Sequence, residues 1–248
     1  MALVNTDAIV LRTYNLAEAD RIVVCLTRGC GLVRAVAKGA RRMKSRFGAA
    51  LEPFTIIRLA FYEKENRDLV KISAVEIVKS NFNLATRLEV SDLFAYIAEL
   101  VGEFAPPHET NEKLFRMVIA CVEALGSSPE SVNHIQTYFE IWLLRLAGLF
   151  PDTKTCSGCG ASLKDEDRVF INRHGAARCG NCSGGIGSVL SLASRETLNL
   201  SQNLGPNEFV KARASSKLKS DTQLNEFTHH LITWALERRP RTAVSQAR

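Results

Sequence analysis

Two Cys-x-x-Cys pairs, Cys156/Cys159 and Cys179/Cys182, restrict what this chain can fold into more than any other feature. The nineteen residues 160–178 separate them. Each pair turns two thiolates toward one point, and a second pair after a loop of this length completes a tetrahedron that suits zinc. The small residues in Cys-Ser-Gly-Cys-Gly and Cys-Gly-Asn-Cys-Ser-Gly-Gly let backbone amides curl around the sulfurs. Two unrelated pairs of reduced thiols, or two disulfides in a secreted protein, are the competing readings. The spacing is that of metal knuckles and the rest of the chain reads as intracellular, so one zinc ion is predicted. Four thiolates close its shell and leave no position for water or substrate, which makes the metal structural. His174 lies between the knuckles, but the four cysteines already fill the shell.

The chain of 248 residues has room for two or three domains. Its 46% apolar and 23% charged residues are ordinary for a globular protein. The N-terminus lacks a basic region followed by an apolar one, and no apolar run approaches the length of a membrane span. Cys25, Cys30 and Cys121 lie in or beside apolar segments and read as buried, reduced thiols. These features predict a cytoplasmic protein, without membrane association.

The net charge of +6 is concentrated. Residues 1–80 carry 14 basic against 8 acidic residues, and residues 81–248 carry 18 of each. Between Arg21 and Leu51 stand eight basic residues and no acidic one. Five of them, Lys38, Arg41, Arg42, Lys44 and Arg46, crowd into nine positions. A stretch this free of countercharge predicts a polyanionic partner.

The same region reads as β-structure. Ala8–Tyr14, Asp20–Thr27, Leu32–Lys38, Phe54–Tyr62 and Leu69–Val78 are short, rich in β-branched residues and bounded by turn-prone stretches. In the fourth, Ile57, Leu59 and Phe61 alternate with Arg58 and Tyr62, the period of a half-buried strand. Five short strands in residues 1–80 are compatible with a small barrel, of which the OB-fold is the commonest that binds single-stranded nucleic acid.

After Val78 the period lengthens. Val90, Phe94, Ile97, Val101 and Phe104 form one helical stripe, ended by Pro106-Pro107. Asn111 is placed to cap a second helix, and Ser128 with Pro129 to open a third that Gly148 and Pro151 close. The four-cysteine module spans 153–187, with a short strand at Val169–Ile171 and a glycine-rich, flexible exit. Ser194 and Asp221 are candidate caps for two later helices, and the tail after Pro240 is expected to fray. The predicted class is thus α+β: an OB-fold barrel over 1–80, then a helical domain over 81–248 with the zinc module inserted. Within 81–155 ten acidic residues face five basic ones, so the polyanion surface belongs to the barrel.

No catalytic constellation is present. The chain has no Gly-x-x-x-x-Gly-Lys-Ser/Thr phosphate loop and no His/Glu pairing of an open metal site, which argues against an enzyme. The basic stretch has a physical role without chemistry. Arg34, Lys38, Arg41, Arg42, Lys44, Arg46 and Arg58 neutralise phosphates, while exposed aromatics such as Tyr62 and Tyr14 offer stacking faces to unpaired bases. The alternative is an RNA-binding or transcription-associated zinc-ribbon protein, told apart by its preference for RNA over DNA of the same sequence.

The segments Ala8–Arg12, Glu18–Val23, Leu26–Arg28, Gly31–Arg42 and Lys44–Phe47, followed by Leu149–Asp152 and the two cysteine knuckles, resemble the bacterial RecO family of DNA-repair proteins. The resemblance covers essentially the whole chain. It implies an N-terminal OB-fold, a helical domain and a zinc module. It further implies a recombination mediator that binds single- and double-stranded DNA, anneals complementary strands, and works with RecR in DNA repair. With RecR it would load RecA onto strands coated by single-stranded DNA-binding protein, whose C-terminal tail it would contact; RecF is a further implied partner, and a nucleoid-associated position follows. Some family members lack the zinc cysteines, so the metal would be a feature of this branch.

Overall fold

The computed structural model describes residues 2–63, 69–106, 109–164, 166–172, 175–215 and 222–242. Two compact units are present, one of residues 1–132 with 240–248, the other of residues 133–239.

In the first unit, five strands close into a barrel: β1 (Ala2–Leu16), β2 (Asp20–Thr27), β3 (Leu32–Ala37), β4 (Ile56–Glu63) and β5 (Leu69–Lys79). Their order is β1-β2-β3-β5-β4, all antiparallel except β3 against β5, and β1 pairs with both β2 and β4. This is the OB-fold expected from the strand pattern. The first strand is longer than its apolar stretch because Ala2–Ile9 pair with Ile56–Glu63 before Ala8–Leu16 pair with Asp20–Thr27. A bulge between Val10 and Arg12 bends it from one partner to the other. As a result Ala8 to Leu11 are buried consecutively, without the usual alternation.

Ala8, Val10, Val23, Val33, Ile57, Phe61 and Ile72 fill the barrel, with Phe47 and Leu51 from a short 3-10 turn (Gly48–Leu51) closing one end. Outside it pack α1 (Phe82–Ala85), α2 (Leu88–Phe104) and α3 (Glu112–Ser127). Phe94 of α2 stacks on Phe54, ring centroids 4.0 Å apart and 8° from parallel. Phe54 is held in the left-handed region at φ 61°. Its N–H donates to Val10 O at 2.6 Å, and its carbonyl accepts from Asn81 Nδ2 at 2.8 Å. For an aromatic residue that conformation costs on the order of 1–3 kcal/mol, so the surroundings over-determine it.

Asn111 caps α3 as predicted, its Oδ1 accepting from Leu114 N at 3.0 Å. Of the tail expected to fray after Pro240, Arg241 and Thr242 are held instead, their N–H groups donating to the buried Glu99 carboxylate at 2.9 and 2.8 Å; residues 243–248 lie outside the described residues.

The second unit combines α4 (Val132–Leu146), β6 (Arg168–Ile171), β7 (Ala177–Arg178), α5 (Gly180–Ser183), β8 (Ser188–Ser191), α6 (Leu192–Asn203), α7 (Pro206–Ser215) and α8 (Thr222–Leu236). Helix α4 starts three residues later than Ser128-Pro129 suggests, because Ser131 N–H and Oγ both bond Ser128 O and make residues 128–131 a turn. It stops as expected at Gly148, whose φ of 71° costs glycine little. Helices α4 and α8 meet through polar side chains, Thr137 Oγ1 donating to Asn225 Oδ1 at 2.8 Å and Thr228 Oγ1 to Glu140 Oε2 at 2.5 Å.

Three sequence expectations fall differently. Helix α6 is capped by Ser191, whose Oγ accepts from Ser194 N, so Ser194 lies inside the first turn. The segment after Ser183 is no loose exit; it turns into β8, which pairs with β6 along Arg168–Ile171. Helix α7, opened by Pro206 after Gly205, has no counterpart in the sequence reading. The cap expected at Asp221 lies outside the described residues. Among the described residues, no helix is long and apolar enough to cross a membrane.

Candidate nucleic-acid interface and metal centre

The strand register sorts the basic residues of the barrel. In β3, Val33, Ala35 and Ala37 point inward, so Arg34 and Val36 point out and Arg34 is exposed. Across the outer face the register aligns Tyr14, Ile22, Val36, Lys71 and Tyr62 in one row from β1 to β4. Tyr14 is 45% exposed and Tyr62 37%, so this row presents two aromatic side chains with a cation between them. Lys71 was missed in the sequence; the alternation of Val70 and Ile72 around it is the signal that points it outward.

The chain leaving β3 forms a cationic loop, 38–46. Gly39 N–H donates to Asp20 Oδ1 at 2.8 Å, and Arg41 donates from its backbone to Ala19 O and from Nη1 to Ala17 O, each at 3.0 Å. These bonds fasten the loop to the β1–β2 turn. Lys38, Arg41, Arg42, Lys44 and Arg46 are all exposed on it. The Arg46 guanidinium lies over the Phe47 ring, 4.8 Å from its centroid, and its Nη2 donates to Ile72 O at 3.4 Å, which positions the charge at the barrel surface.

Not all of the expected cations remain unpaired. Arg21 meets Glu52, the residue after the acid-free stretch, at 3.6 Å, and Arg28 meets Asp7 of β1 at 3.2 Å. Arg58 stands between Asp7 and Glu76 in the register and bonds Glu76 at 3.0 Å. An exposed pair of this kind contributes below about 1 kcal/mol, but it cancels the local field. Arg58 is thereby set apart from the others. Arg34, Lys38, Arg41, Arg42, Lys44 and Arg46 form no ion pair with a described residue.

The four cysteines converge. Their sulfurs all lie within 4.8 Å of one another, and Cys159 and Cys179 are 3.9 Å apart. A tetrahedron with metal–sulfur bonds near 2.3 Å has sulfur–sulfur edges of about 3.8 Å. Disulfides, at about 2.05 Å, do not describe this cluster, and all four are free thiols. The first knuckle closes by Gly160 N–H to Cys156 O at 2.9 Å and Cys156 N–H to Ala161 O at 2.8 Å. In the second, Cys179 caps α5 and its sulfur accepts from Cys182 N at 3.4 Å. Gly158 and Cys179 amides both donate to Cys156 Sγ at 3.4 Å. Gly158 packs closely on the second knuckle: a Cβ there would sit 3.1 Å from Cys182 Cβ and Sγ and push them back by a few tenths of an ångström.

These amides shape the acidity of the cluster. Hydrogen bonds from the Cys179 and Cys159 backbones, then from Gly158, pull the Cys156 thiol down to about 6. Hydrogen bonds with the sulfurs of Cys179, Cys159 and Cys156 push Cys182 up to about 12. Four sulfurs converging on one point, with backbone amides aimed at them, gather negative charge that a cation would balance. The donor set therefore fits a soft, tetrahedral cation. Beneath it Leu163, Val169, Ile171, Ala177 and Leu190 are buried, and Arg195 donates to Lys164 O at 2.6 Å and to Glu166 O. His174 lies outside the described residues. Of the remaining cysteines, burial pushes Cys25 up to about 12 and Cys121 higher still, leaving both as packing groups.

A five-stranded OB-fold barrel with a cationic loop, joined to a helical region carrying a four-thiol knuckle, is an architecture of the nucleic-acid-binding type. Comparison with known proteins narrows the class. The family model for the N-terminal part of recombination protein O matches residues 1–81, and that for its C-terminal part matches residues 89–243. Proteins named DNA repair protein RecO are similar over most of their length. That of Koribacter versatilis is 35% identical over 68% of this chain and 68% of its own. Those of Anaeromyxobacter dehalogenans (strain 2CP-C) and Symbiobacterium thermophilum are each 35% identical, covering 78% and 80% of this chain and 76% and 79% of theirs. The chain belongs to the RecO family.

Proposed function

We propose that this protein acts in DNA repair and recombination as a DNA-binding mediator, with no bond-making chemistry of its own. The observation that carries the reading is the set of six cations, Arg34, Lys38, Arg41, Arg42, Lys44 and Arg46, exposed on one loop and the adjoining strand of an OB-fold and without an ion pair among the described residues. They neutralise phosphates of single- and double-stranded DNA, and Tyr62 with Tyr14 stacks on unpaired bases. Arg58 contributes after leaving Glu76. Charge neutralisation lets two complementary strands approach, and base pairing supplies the free energy of annealing. In the same reading the protein works with RecR, engages the tail of single-stranded DNA-binding protein, and helps RecA onto the coated strand, with RecF a further partner. Membership of the RecO family supports these assignments.

The four thiolates hold one structural zinc ion. When bound it neutralises the sulfurs and ties the two knuckles together; the amides of Gly158, Cys179 and Cys182 share the remaining charge. Annealing of complementary oligonucleotides without ATP tests the function. The protein is expected to accelerate annealing of bare strands and of strands coated by single-stranded DNA-binding protein. No acceleration of either would count against the reading.

A further inference from the structure

We propose that the cleft between β1 and the α1–α2 segment is a slot for one unpaired nucleobase of the strand held by the cationic loop. This rests on the nucleic-acid reading above. The cleft encloses about 340 Å³, at the small end of ligand pockets. Its floor is apolar and rigid: Leu11, the left-handed Phe54 and the Phe94 ring stacked on it are all buried. Its mouth carries two aromatic side chains, Tyr14 and Phe82, which are 45% and 56% exposed. A phenylalanine so exposed gains nothing for the core, and a flat partner would cover it.

The position of the slot favours a base. Tyr14 and Ala17 are three residues apart, at most about 10 Å, and Ala17 and Ala19 are where Arg41 is fastened. A strand whose phosphates lie on the loop is thus within one or two nucleotides of Tyr14. Arg12 on the rim already donates to Ala95 O at 3.4 Å, and its other N–H groups can reach a base carbonyl. Glu52 on the same rim is paired with Arg21 at 3.6 Å, so the two aromatic side chains set the character of the mouth, and flat aromatic faces suit a base.

Fluorescence anisotropy with oligothymidylate and an abasic oligomer of equal length tests the slot in the full chain. The wild type should prefer the thymidylate. Tyr14→Ala and Phe82→Ala should each lower thymidylate affinity by about 5- to 100-fold, the range of base–aromatic stacking. Both variants should then bind the two oligomers more nearly alike, and Tyr14→Phe should restore the preference. Both side chains are exposed, so thermal melting should be unchanged. Equal binding of the two oligomers by the wild type, or undiminished affinity in both alanine variants, overturns the slot while the nucleic-acid reading stands. Failure to bind either oligomer overturns both. Protection of the cleft by an acidic apolar peptide but not by oligothymidylate would reassign it to a protein tail.

Discussion

Replacing Cys179 with alanine is expected to unfold the four-cysteine module and abolish metal binding. Cys179 is both a ligand and the cap of α5, its sulfur accepting from Cys182 N at 3.4 Å and lying 3.9 Å from Cys159 Sγ of the first knuckle. Its loss leaves three thiolates and opens the contact that joins the two knuckles. Structural zinc contributes on the order of 10–16 kcal/mol to small zinc peptides, far more than the buried Leu163, Val169 and Ile171 cluster can replace. Metal analysis should fall from one zinc per chain to near zero, and limited proteolysis should open residues 154–191. The barrel belongs to the other compact unit and should keep its melting transition. Retention of a full zinc complement, or a protease-resistant module without metal, would contradict a four-thiolate structural site.

Reversing two charges on the cationic loop is the second large effect. Arg41→Glu with Arg42→Glu replaces two exposed cations by anions without touching the core. The Arg41 side-chain bond to Ala17 O is lost, but the backbone bond from Arg41 N to Ala19 O still fastens the loop. Each phosphate contact on a single strand contributes about 0.7 to the salt slope, so at moderate salt the loss and repulsion together lower affinity on the order of 100-fold or more. Equilibrium titration at fixed ionic strength measures it. Affinity within threefold of the wild type would remove this loop from the interface.

Much of this architecture could be read along the chain, for physical reasons. The cysteine knuckles are local turns, so spacing alone predicted that four sulfurs would meet. Strand β2 was delimited correctly as Asp20–Thr27 because its apolar run ends in turn residues on both sides. The cationic loop was visible because its charges are adjacent in sequence. What escaped depends on register between distant segments. That Glu52 and Asp7 would neutralise Arg21 and Arg28, or that Glu76 would face Arg58, follows only from which strands pair and with what offset. The polar start of β1 carries no apolar alternation; its partner β4 makes it a strand. The cleft of Arg12, Tyr14 and Phe82 exists only because α1 folds back against the bulged part of β1. Ser191 rather than Ser194 caps α6 because β8, which is a strand through its pairing with β6, ends there.

The salt dependence of single-strand binding tests most directly the claim that the exposed cations of β3 and the 38–46 loop grip the nucleic-acid backbone. With six phosphate contacts, from Arg34, Lys38, Arg41, Arg42, Lys44 and Arg46, log affinity against log salt should fall with a slope of about −4. A slope near zero would contradict it.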